Sequence, residues 1–387
     1  MKKICPRCGN TDRSWFYKGS KGWYCRKCIS FGRAMLQEEK EAAELQKITE
    51  GSEEYQLRFP LTPHQKLASS QCLANIHASD VLLQCVCGAG KTEMTVETIS
   101  YFLKERKKVC FAIARRQVVL EVAERLQQYF SKASVIAVCG GHTEITDGDL
   151  IVCTTHQLYR YAGNPGAFDL LILDEPDAFP FKGDAVLHGI ADHACRGHKI
   201  YLTATPDQEL LERVNRGTLM KIELNRRPHG KPVPVPDILT APAVILVLKL
   251  LIWIRKYRGF PRMVFVPTIR TAVMMHRFLS MLFSCYVCTS KTENRDQVIG
   301  TFRQEKSGLI VATTVLERGV TVPHAQVCIF EADHSVFDEA GLIQIAGRAG
   351  RSFDDPYGNV LFLCREKSAL AEKCRKSLNE VNRSCDA

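Results

Sequence analysis

The sequence lacks an apolar run long enough to cross a membrane. Its longest, Ala241 to Ile254, spans fourteen residues and contains Lys249, whereas a membrane-spanning helix needs about 20 residues. We therefore expect a buried helix there. The first residues, Met1 to Pro6, carry positive charges with no apolar stretch behind them, which argues against a secretory signal. These two absences predict a cytoplasmic protein without a transmembrane helix.

Acidic residues are scarce at the start of the chain. Residues 1–33 contain one acid, Asp12, and nine basic side chains, although the whole chain has 42 acidic and 52 basic residues. Aromatic residues lie between these cations, among them Trp15, Phe16, Tyr17, Trp23 and Tyr24. Because cations suit phosphates and rings suit bases, this composition favours contact with a nucleic acid strand. The alternative is a solvated charged face around a small aromatic core.

Cysteine, in contrast, is abundant, with 17 residues. In a large chain without a secretory signal, thiols or metal ligands are favoured over disulfides. Cys5 with Cys8, and Cys25 with Cys28, form two CxxC pairs with the spacing of a four-thiolate zinc site. About thirty residues bury too little apolar surface to fold without such a staple. We predict a structural Zn²⁺ module over residues 1–34, with a redox role for the pairs as the alternative.

Most other cysteines occur in apolar runs, where cysteine behaves as a small hydrophobic residue. We expect the following six in the core: Cys72, Cys110, Cys139, Cys153, Cys328 and Cys364. Cys285 and Cys288 also have the CxxC spacing, but they stand alone in a strand-like run and receive the same interpretation.

From residue 57 onward, short apolar runs alternate with helical stretches. This alternation predicts an α/β fold with parallel sheets covered by helices. A proline-rich stretch from Arg226 to Pro236 is typical of a linker. The predicted organisation has five parts: a zinc module (1–34), a helical linker (35–56), a first α/β domain (57–225), a linker (226–237) and a second α/β domain (238–387).

A glycine-rich turn follows the strand-like run Val81 to Val86. It reads Cys87-Gly88-Ala89-Gly90-Lys91-Thr92 and leads into a predicted helix. Such a turn points backbone N–H groups at a phosphate, aided by the helix dipole. Lys91 would reach the β- and γ-phosphates of a nucleotide, and Thr92 would bind Mg²⁺. The loop lacks the usual first glycine, because Cys85 stands in its place.

An acidic cluster, Asp174-Glu175-Pro176-Asp177, follows the strand-like run Asp169 to Leu173. Ligand sites in parallel sheets form at the carboxyl ends of strands. Asp174 would hold Mg²⁺ through water, and Glu175 would orient and deprotonate the attacking water. An acidic turn alone is common, but together with the phosphate loop this cluster predicts hydrolysis of a nucleoside triphosphate.

The second strand–helix series has no phosphate loop of its own. It carries Gln344 to Arg351, in which Arg348 and Arg351 are three residues apart and are expected on one helical face. Two such arginines suit a clamp on a γ-phosphate. An arginine offered by a second domain to a nucleotide on the first makes cleft closure depend on ATP, which predicts a motor. An exposed basic helix is the alternative.

Residues 57–364 resemble the helicases of the second superfamily. Leu61–Gln65 is similar to the adenine-reading segment, Leu202–Pro206 to motif III and Val315–Thr321 to motif V. The resemblance implies two tandem RecA-like domains. It implies nucleotide contacts from Gln65, Gly88, Ala89, Gly90, Lys91, Thr92, Glu93 and Gly319, and Mg²⁺ contacts from Thr92 and Asp174. It also implies catalysis by Lys91, Asp174, Glu175, Gln344, Arg348 and Arg351.

Within this superfamily, the four-cysteine module, CGAGKTE at 87–93 and DEPDAFPF at 174–181 resemble the ComFA family. These are late-competence ATPases of Gram-positive bacteria that help drive incoming single-stranded DNA into the cytoplasm. The resemblance implies ATPase activity stimulated by single-stranded DNA, with ATP, Mg²⁺ and Zn²⁺ bound. It implies a place at the inner face of the membrane with ComFC and the ComEC channel, and is compatible with an oligomer. Pro176 departs from the alanine of the RNA-unwinding DEAD-box branch.

Candidate strand contacts follow strand-like runs in both series. The segments are Arg115–Gln117, Thr154–Gln157, Pro267–Thr268 and Thr313–Thr314. Short polar side chains at strand ends suit backbone phosphates and carry no sequence preference. Each segment is equally compatible with an ordinary turn.

Other functions stay open at this point. A replication-restart helicase resembling PriA also combines zinc with such a motor, but its zinc cysteines lie between motifs of its second motor domain, whereas these precede the motor. A nucleic-acid-binding scaffold could use ATP only as a clamp. RNA is an alternative strand, because nothing in the sequence reads a 2′-hydroxyl.

Overall fold

Two parallel sheets and the helices that connect their strands make up most of the chain, because its apolar runs are short and are separated by helices. The structure is a computed structural model that describes residues 4–36, 43–316 and 322–386. The segment 317–321, which includes the candidate nucleotide contact Gly319, lies outside the described residues.

The N-terminal cysteine module is a small antiparallel sheet. Its strands are β1 (Phe16–Gly19), β2 (Gly22–Cys25) and β3 (Ala34–Met35), with β2 in the centre. Short 3₁₀ helices at Arg13–Trp15 and Ile29–Phe31 flank the β1–β2 hairpin.

The next region contains a seven-stranded parallel sheet. Its strands are β4 (Asp80–Cys85), β5 (Val109–Ile113), β6 (Val135–Val138), β7 (Leu150–Thr154), β8 (Phe168–Asp174), β9 (Cys195–Thr203) and β10 (Leu219–Leu224). Its helices are α1 (Pro63–Asn75), α2 (Lys91–Lys104), α3 (Arg116–Tyr129), α4 (Ala185–Ala194) and α5 (Gln208–Asn215), with a 3₁₀ helix at Thr155–Arg160. The strand order β10-β4-β9-β8-β5-β7-β6 puts β9 between β4 and β8.

The C-terminal region contains a six-stranded parallel sheet in the order β11-β16-β15-β12-β14-β13. Its strands are β11 (Asp237–Thr240), β12 (Arg262–Phe265), β13 (Tyr286–Cys288), β14 (Leu309–Ala312), β15 (Gln326–Phe330) and β16 (Val360–Cys364). Its helices are α6 (Ala243–Lys256), α7 (Ile269–Ser280), α8 (Arg295–Gln304), α9 (Glu339–Ala346) and α10 (Ala369–Asp386), with a 3₁₀ helix at Thr314–Leu316.

The chain divides into two units. The first comprises Met1–Cys85 and Gly90–Leu224, and therefore includes the cysteine module and the seven-stranded sheet. The second comprises Asn225–Ala387 together with Val86–Ala89. Below, the two are called the first and the second motor unit.

The cysteines expected in the core are buried. All six are in the apolar interior, and burial raises the pKa of Cys72 and Cys364 to about 12. Cys288 is also buried, and Cys285 is half-buried, with burial raising the pKa of its thiol to about 12. The expected burial of these cysteines in the core is confirmed, and the half-buried Cys285 packs against the core of the second sheet.

Two expectations about local structure are wrong. The run expected as a buried helix forms α6, but only the face of Leu246, Leu250 and Ile254 is buried, while Val244 and Leu248 are 74% and 55% exposed. The run is apolar on all sides, so its pattern does not reveal which face packs.

Within the described residues, no helix is long and apolar enough to cross a membrane.

The linker predicted to be helical has no helix over its described residues 43–56. Its backbone instead forms hydrogen bonds with side chains of the segments that precede β5 and β7. The N–H groups of Gln46 and Thr49 donate to the carboxylates of Asp147 and Asp149, and Arg106 donates to the carbonyl of Ile48. Because these N–H groups are satisfied by carboxylates, the segment needs no helical hydrogen bonds.

Candidate nucleotide, zinc and nucleic-acid sites

The predicted phosphate loop connects β4 to α2. Gly88 and Gly90 have φ values of +84° and +81°, a left-handed conformation that glycine adopts without a steric penalty. Gly90 is the N-cap of α2, and no side chain caps this end of the helix. Because the N-cap is a glycine, the cap residue supplies no side-chain acceptor to the first turn of this 14-residue helix. This arrangement fits an anionic phosphate chain.

Lys91 and Thr92 are the first two residues of α2 and stand directly after this loop. The Thr92 side chain is buried, and its hydroxyl accepts a hydrogen bond of 3.4 Å from Arg125. A threonine hydroxyl at this position is a suitable ligand for the Mg²⁺ that accompanies a nucleotide.

Gln65 lies beside the loop at the start of α1. A Cβ atom built on Gly90 would lie 2.5 Å from the Gln65 amide nitrogen, so the glutamine side chain would have to move for any other residue, and the positive φ of Gly90 also favours glycine. The side-chain oxygen of Gln65 accepts from the backbone N–H of Thr62 at 2.9 Å and completes a capping box. Gln65 thus joins the helix start to the loop, and its adenine-reading role stays a prediction.

Glu93, the last predicted residue of the loop segment, has protein partners. Its carboxylate pairs with Arg125 at 3.2 Å and accepts a hydrogen bond of 3.1 Å from the Tyr129 hydroxyl. Burial, with a contribution from Glu93, raises the pKa of Tyr129 to about 12. These contacts join α2 to α3, and a nucleotide contact of Glu93 stays a prediction.

The acidic cluster stands at the same edge of the sheet as the loop. Asp174 is the last residue of β8, which is separated from β4 by β9 alone. Two strand spacings correspond to about 10 Å, a separation that a hydrated metal ion and a phosphate chain can bridge. The structure thus brings the two predicted halves of the hydrolytic site to one edge.

Glu175 has an unusual backbone. Its φ is +52°, although it is not a glycine, and its N–H donates to the carbonyl of Leu202 at 2.8 Å. Such a conformation costs about 1 kcal/mol or more, and it concentrates at functional sites. The observation agrees with the predicted role of Glu175 next to the attacking water.

Asp177 forms a contact that the sequence pattern did not indicate. This carboxylate is 2% exposed and accepts a hydrogen bond from the Thr203 hydroxyl on one oxygen and from the Thr205 hydroxyl, at 2.7 Å, on the other. The Thr205 N–H also donates to the Thr203 hydroxyl at 2.9 Å. We call Asp177, Thr203 and Thr205 the acid–threonine clasp. It joins the acidic cluster to the Leu202–Pro206 segment.

In the second motor unit, the expected helical face for Arg348 and Arg351 is wrong. Helix α9 ends at Ala346, with Gly347 as its C-cap, so Gln344 is helical but both arginines follow on a turn. Gly350, at φ +63°, cannot continue the helix. We call the segment from Gly347 to Arg351 the arginine turn.

The Gln344 side chain is 2% exposed, and its amide nitrogen has no hydrogen-bond partner among the described residues. A buried donor without a protein partner is costly, so we expect a water or a bound ligand to accept its hydrogen bond. This fits the catalytic role that the resemblance implies for Gln344.

Arg227 holds the arginine turn. This residue was predicted to lie in a linker, yet it is 2% exposed and its guanidinium donates to the carbonyls of Gly347, Ala349 and Gly350. Burial lowers the pKa of Arg227 to about 10, with a further contribution from Arg351, so it stays charged at neutral pH. This role of Arg227 could not be recognised from the sequence, because its partners in the turn are backbone carbonyls, which every residue has.

The four predicted zinc ligands lie together. The sulfur atoms of Cys5, Cys8, Cys25 and Cys28 are all within 4.8 Å of one another, with 3.7 Å between Cys5 and Cys28 and 3.9 Å between Cys8 and Cys25. Tetrahedral zinc with Zn–S bonds of about 2.3 Å requires sulfurs about 3.8 Å apart. The donor set and its spacing are therefore compatible with zinc.

The cysteine module packs on the first motor unit at α4. The Cys8 carbonyl approaches Gly189 so closely that a Cβ there would lie 2.1 Å from the oxygen, and a Cβ on Gly9 would lie 2.8 Å from the His193 ring. The four cysteines share one apolar core with Leu158 and Ile190. A glycine within α4 is thus explained by contact with the module.

The module also contacts the 3₁₀ helix Thr155–Arg160. The Phe31 ring lies 5.4 Å from that of Tyr159 and 6.1 Å from that of His156. The Arg7 guanidinium is 5.9 Å from the Tyr159 ring. The module therefore touches the candidate strand segment Thr154–Gln157.

The candidate strand segments all follow strand ends, as expected. Arg115 precedes α3, and Thr154 ends β7, the strand next to β5. In the second motor unit, Thr268 caps α7, and Thr313 follows β14. Their contact with nucleic acid stays a prediction.

Two family models match the chain in order. The "Type III restriction enzyme, res subunit" family matches residues 58–208, and the "Helicase conserved C-terminal domain" family matches residues 243–353. Together they identify an enzyme of the ATPase and helicase type, and these domains imply ATP and Mg²⁺.

Among solved structures, S. cerevisiae Dbp5 bound to RNA and ADP BeF3 superposes with a TM-score of 0.63 at 15% identity, covering 83% of this chain and 91% of Dbp5. RecG bound to a three-way DNA junction superposes with a TM-score of 0.58 at 21% identity, covering 84% of this chain and 45% of RecG. These similarities concern the fold alone. They confirm the predicted pair of RecA-like domains.

Two curated relatives are similar over nearly the whole chain. Competence protein ComFA of Bacillus subtilis is 33% identical, covering 98% of this chain and 85% of the relative. Competence protein ComFA of Streptococcus pneumoniae is also 33% identical, covering 99% of this chain and 91% of the relative. With two helicase domains and a four-cysteine cluster in addition, the chain belongs to the ComFA family of competence-related, helicase-like ATPases.

Proposed function

We propose that this protein is an ATP-dependent translocase on single-stranded DNA that drives DNA uptake during natural transformation. The observation that carries the proposal is the placement of the phosphate loop and the acidic cluster at one edge of the sheet, in a chain that belongs to a competence family over nearly its full length. ATP hydrolysis at this edge would drive movement along the strand, and membership of the competence family indicates uptake of DNA as the process.

Hydrolysis is proposed to occur at the carboxyl edge of the seven-stranded sheet. The ATP phosphates would lie on the loop Gly88–Gly90 and the N-terminus of α2, with Lys91 on the β- and γ-phosphates. Mg²⁺, when bound by Thr92 and Asp174, would neutralise charge that develops on the phosphates. Glu175 would accept a proton from the attacking water. Gln344, Arg348 and Arg351 are proposed to stabilise the transferred phosphoryl group.

The acid–threonine clasp is proposed to transmit conformational changes at the hydrolytic site toward the bound DNA strand. Asp177 is two residues after Glu175, and its two hydrogen bonds tie the acidic turn to Thr203 at the end of β9 and to Thr205 beyond it. A change at Glu175 on hydrolysis would therefore pull on Thr203 and Thr205. Paired hydrogen bonds to a buried carboxylate are strong enough to transmit such a change.

Single-stranded DNA is proposed to contact the four segments at strand ends, through phosphates and without sequence preference. The protein would act on the cytoplasmic face of the membrane, with ComFC and the ComEC channel as partners. Zinc is proposed as the ion of the cysteine module, where its role would be structural.

The test is the ATPase rate with matched single-stranded DNA, double-stranded DNA and RNA, at a fixed and stated salt concentration, because phosphate contacts weaken steeply with ionic strength. We expect strong stimulation by single-stranded DNA alone. Equal stimulation by RNA, or a preference for forked duplexes, would instead support another helicase function. Little stimulation by any strand would support an ATP-gated scaffold.

A further inference from the structure

The hairpin of the cysteine module has two different faces. In the β1–β2 register, Phe16 pairs with Cys25 and Lys18 with Trp23, and the Phe16 and Trp23 rings pack against the shared core. Side chains alternate along a strand, so Tyr17 and Tyr24, which pair with each other, belong to the opposite face. The Tyr17 side chain is 52% exposed. The Tyr17–Tyr24 face is therefore distinct from the face that packs on the motor unit.

Two arginines flank these rings. The two tyrosine rings are 5.8 Å apart in an edge-to-face arrangement, with the guanidinium of Arg26 5.7 Å from the Tyr17 ring and that of Arg33 5.2 Å from the Tyr24 ring. A guanidinium stacked on a ring keeps the N–H groups at its edge available for phosphate oxygens. We call Tyr17, Tyr24, Arg26 and Arg33 the tyrosine–arginine face.

The charge on this face is not compensated within the module. Residues 4–36 carry seven basic side chains and one acid, Asp12. The carboxylate of Asp12 accepts hydrogen bonds from the N–H and the hydroxyl of Ser14. Among the described residues, neither Arg26 nor Arg33 has an ion-pair partner. A polyanion complements such a surface.

We infer that the tyrosine–arginine face is a binding platform for single-stranded nucleic acid, additional to the segments at the strand ends of the motor. The exposed Tyr17 ring and the half-buried Tyr24 ring offer surfaces on which bases of any sequence stack, and the adjacent guanidinium groups take the phosphates between them. The inference rests on the proposed function, which supplies a strand for this face to bind.

The attachment of the module places the platform on the motor. Phe31 contacts His156 and Tyr159, beside the candidate strand segment Thr154–Gln157, and the close approach of Cys8 to Gly189 fixes the module on α4. A strand bound to the tyrosine–arginine face would thus be held on the same unit that carries Lys91 and Asp174. The platform adds to strand affinity without entering the hydrolytic site.

The experiment measures the Kd of the full-length protein for a fluorescent oligo-dT as a function of salt. Replacing both rings, Tyr17→Ala with Tyr24→Ala, is expected to raise Kd about tenfold or more, because each stacked base contributes substantially to affinity. Replacing both arginines, Arg26→Gln with Arg33→Gln, is expected to lower the slope of log K against log salt by about 1.4, or about 0.7 for each phosphate that is no longer neutralised.

Matched variants control for ring shape and for net charge. Tyr17→Phe with Tyr24→Phe keeps both rings and is expected to bind like the wild type. Arg216→Gln removes an exposed arginine that pairs with Glu212 outside the module, and is expected to leave Kd and the salt slope unchanged. The ATPase rate of Arg216→Gln at saturating oligo-dT is expected to match the wild type, because this residue lies outside the hydrolytic site and the tyrosine–arginine face.

Unchanged Kd and salt slope in both double variants would overturn the inference. The inference would also be overturned if polyglutamate displaced the fluorescent oligo-dT as well as unlabelled oligo-dT does, since the face would then bind any polyanion and not the bases of a strand. Zinc content is measured for each variant. If the double alanine variant loses zinc, the inference is judged by the salt slope of the double glutamine variant, which keeps both rings. Failure of the proposed function would differ, because the wild type would then bind oligo-dT without stimulation of its ATPase.

Discussion

In the first motor unit the candidate groups Lys91 and Asp174 lie next to strand ends, whereas in the second unit the two candidate arginines lie on a turn. Lys91 follows β4 and Asp174 ends β8, so the parallel sheet itself fixes their separation. The arginine turn has no such support, and three of its carbonyls are instead held by the buried guanidinium of Arg227. Two units with the same kind of sheet thus position their groups by different means, because chemistry depends on what the loops carry and not on the fold.

This difference predicts how each unit responds to substitution. Groups at strand ends are placed by the whole sheet, so a substitution there should change the chemistry and leave the fold intact. Groups on a turn are placed by one side chain, so loss of that side chain should change both activity and stability.

The largest effect is expected at Glu175. Glu175→Gln keeps the size of the side chain but removes the base, so ATP turnover should fall by about a hundredfold or more. Binding of a fluorescent ATP analogue should be retained, because the phosphate loop is untouched. Lys91→Ala is the companion variant and should lose turnover and weaken nucleotide binding as well. Retained turnover in either variant would contradict the assignment of the hydrolytic site.

Loss of the zinc ligands is expected to have the next largest effect. Cys25→Ser with Cys28→Ser should abolish zinc binding, measured as metal content per chain, since two thiolates cannot hold structural zinc. The core shared by the cysteines with Leu158 and Ile190 would then open, and oligo-dT affinity should fall. Unchanged affinity in a folded, zinc-free variant would show that the module serves a protein partner.

Arg227→Met tests the second motor unit. It leaves four buried carbonyls without their charged donor, three in the arginine turn and that of Cys87, which should lower the free energy of unfolding by about 3 kcal/mol. ATP turnover should also fall about tenfold or more, because Arg348 and Arg351 lose their position. The control is Arg226→Met at the neighbouring, half-buried position, for which we expect much smaller changes. Equal effects of the two variants in thermal unfolding and ATPase assays would contradict the view that Arg227 alone positions the arginine turn.

The smallest effect is expected in the acid–threonine clasp. Thr205→Val removes one hydroxyl donor from the Asp177 carboxylate, so the free energy of unfolding should fall by about 1.5 kcal/mol. Turnover at saturating ATP and single-stranded DNA should fall several-fold with little change in the KM for ATP. Thr205→Ser keeps the hydroxyl and should behave like the wild type. A serine variant as impaired as the valine variant would show that the methyl group matters and not the hydrogen bond.

Much of the fold and the first-unit site could be predicted from the sequence, because both depend on local patterns. Apolar runs of four to seven residues mark parallel strands, and the loop and the acidic cluster directly follow two of them. Burial of the isolated cysteines also followed from their apolar neighbours.

The rest depends on contacts between distant residues. Arg227 lies in a proline-rich stretch that is typical of a linker, and its partners are backbone carbonyls about 120 positions later. The end of α9 at Gly347 moved both arginines off the expected helical face. The exposed half of α6 could not be recognised either, since the run is apolar on every side. Tertiary packing decided each of these cases.

The central claim is that hydrolysis moves the protein along single-stranded DNA. The most direct test is displacement of streptavidin from the biotinylated end of a single strand, with the wild type and with Glu175→Gln. We predict displacement by the wild type that requires ATP hydrolysis, and none by the variant, although the variant still binds ATP and DNA. Strand binding that depends on ATP without any displacement, or equal displacement by both proteins, would contradict the claim.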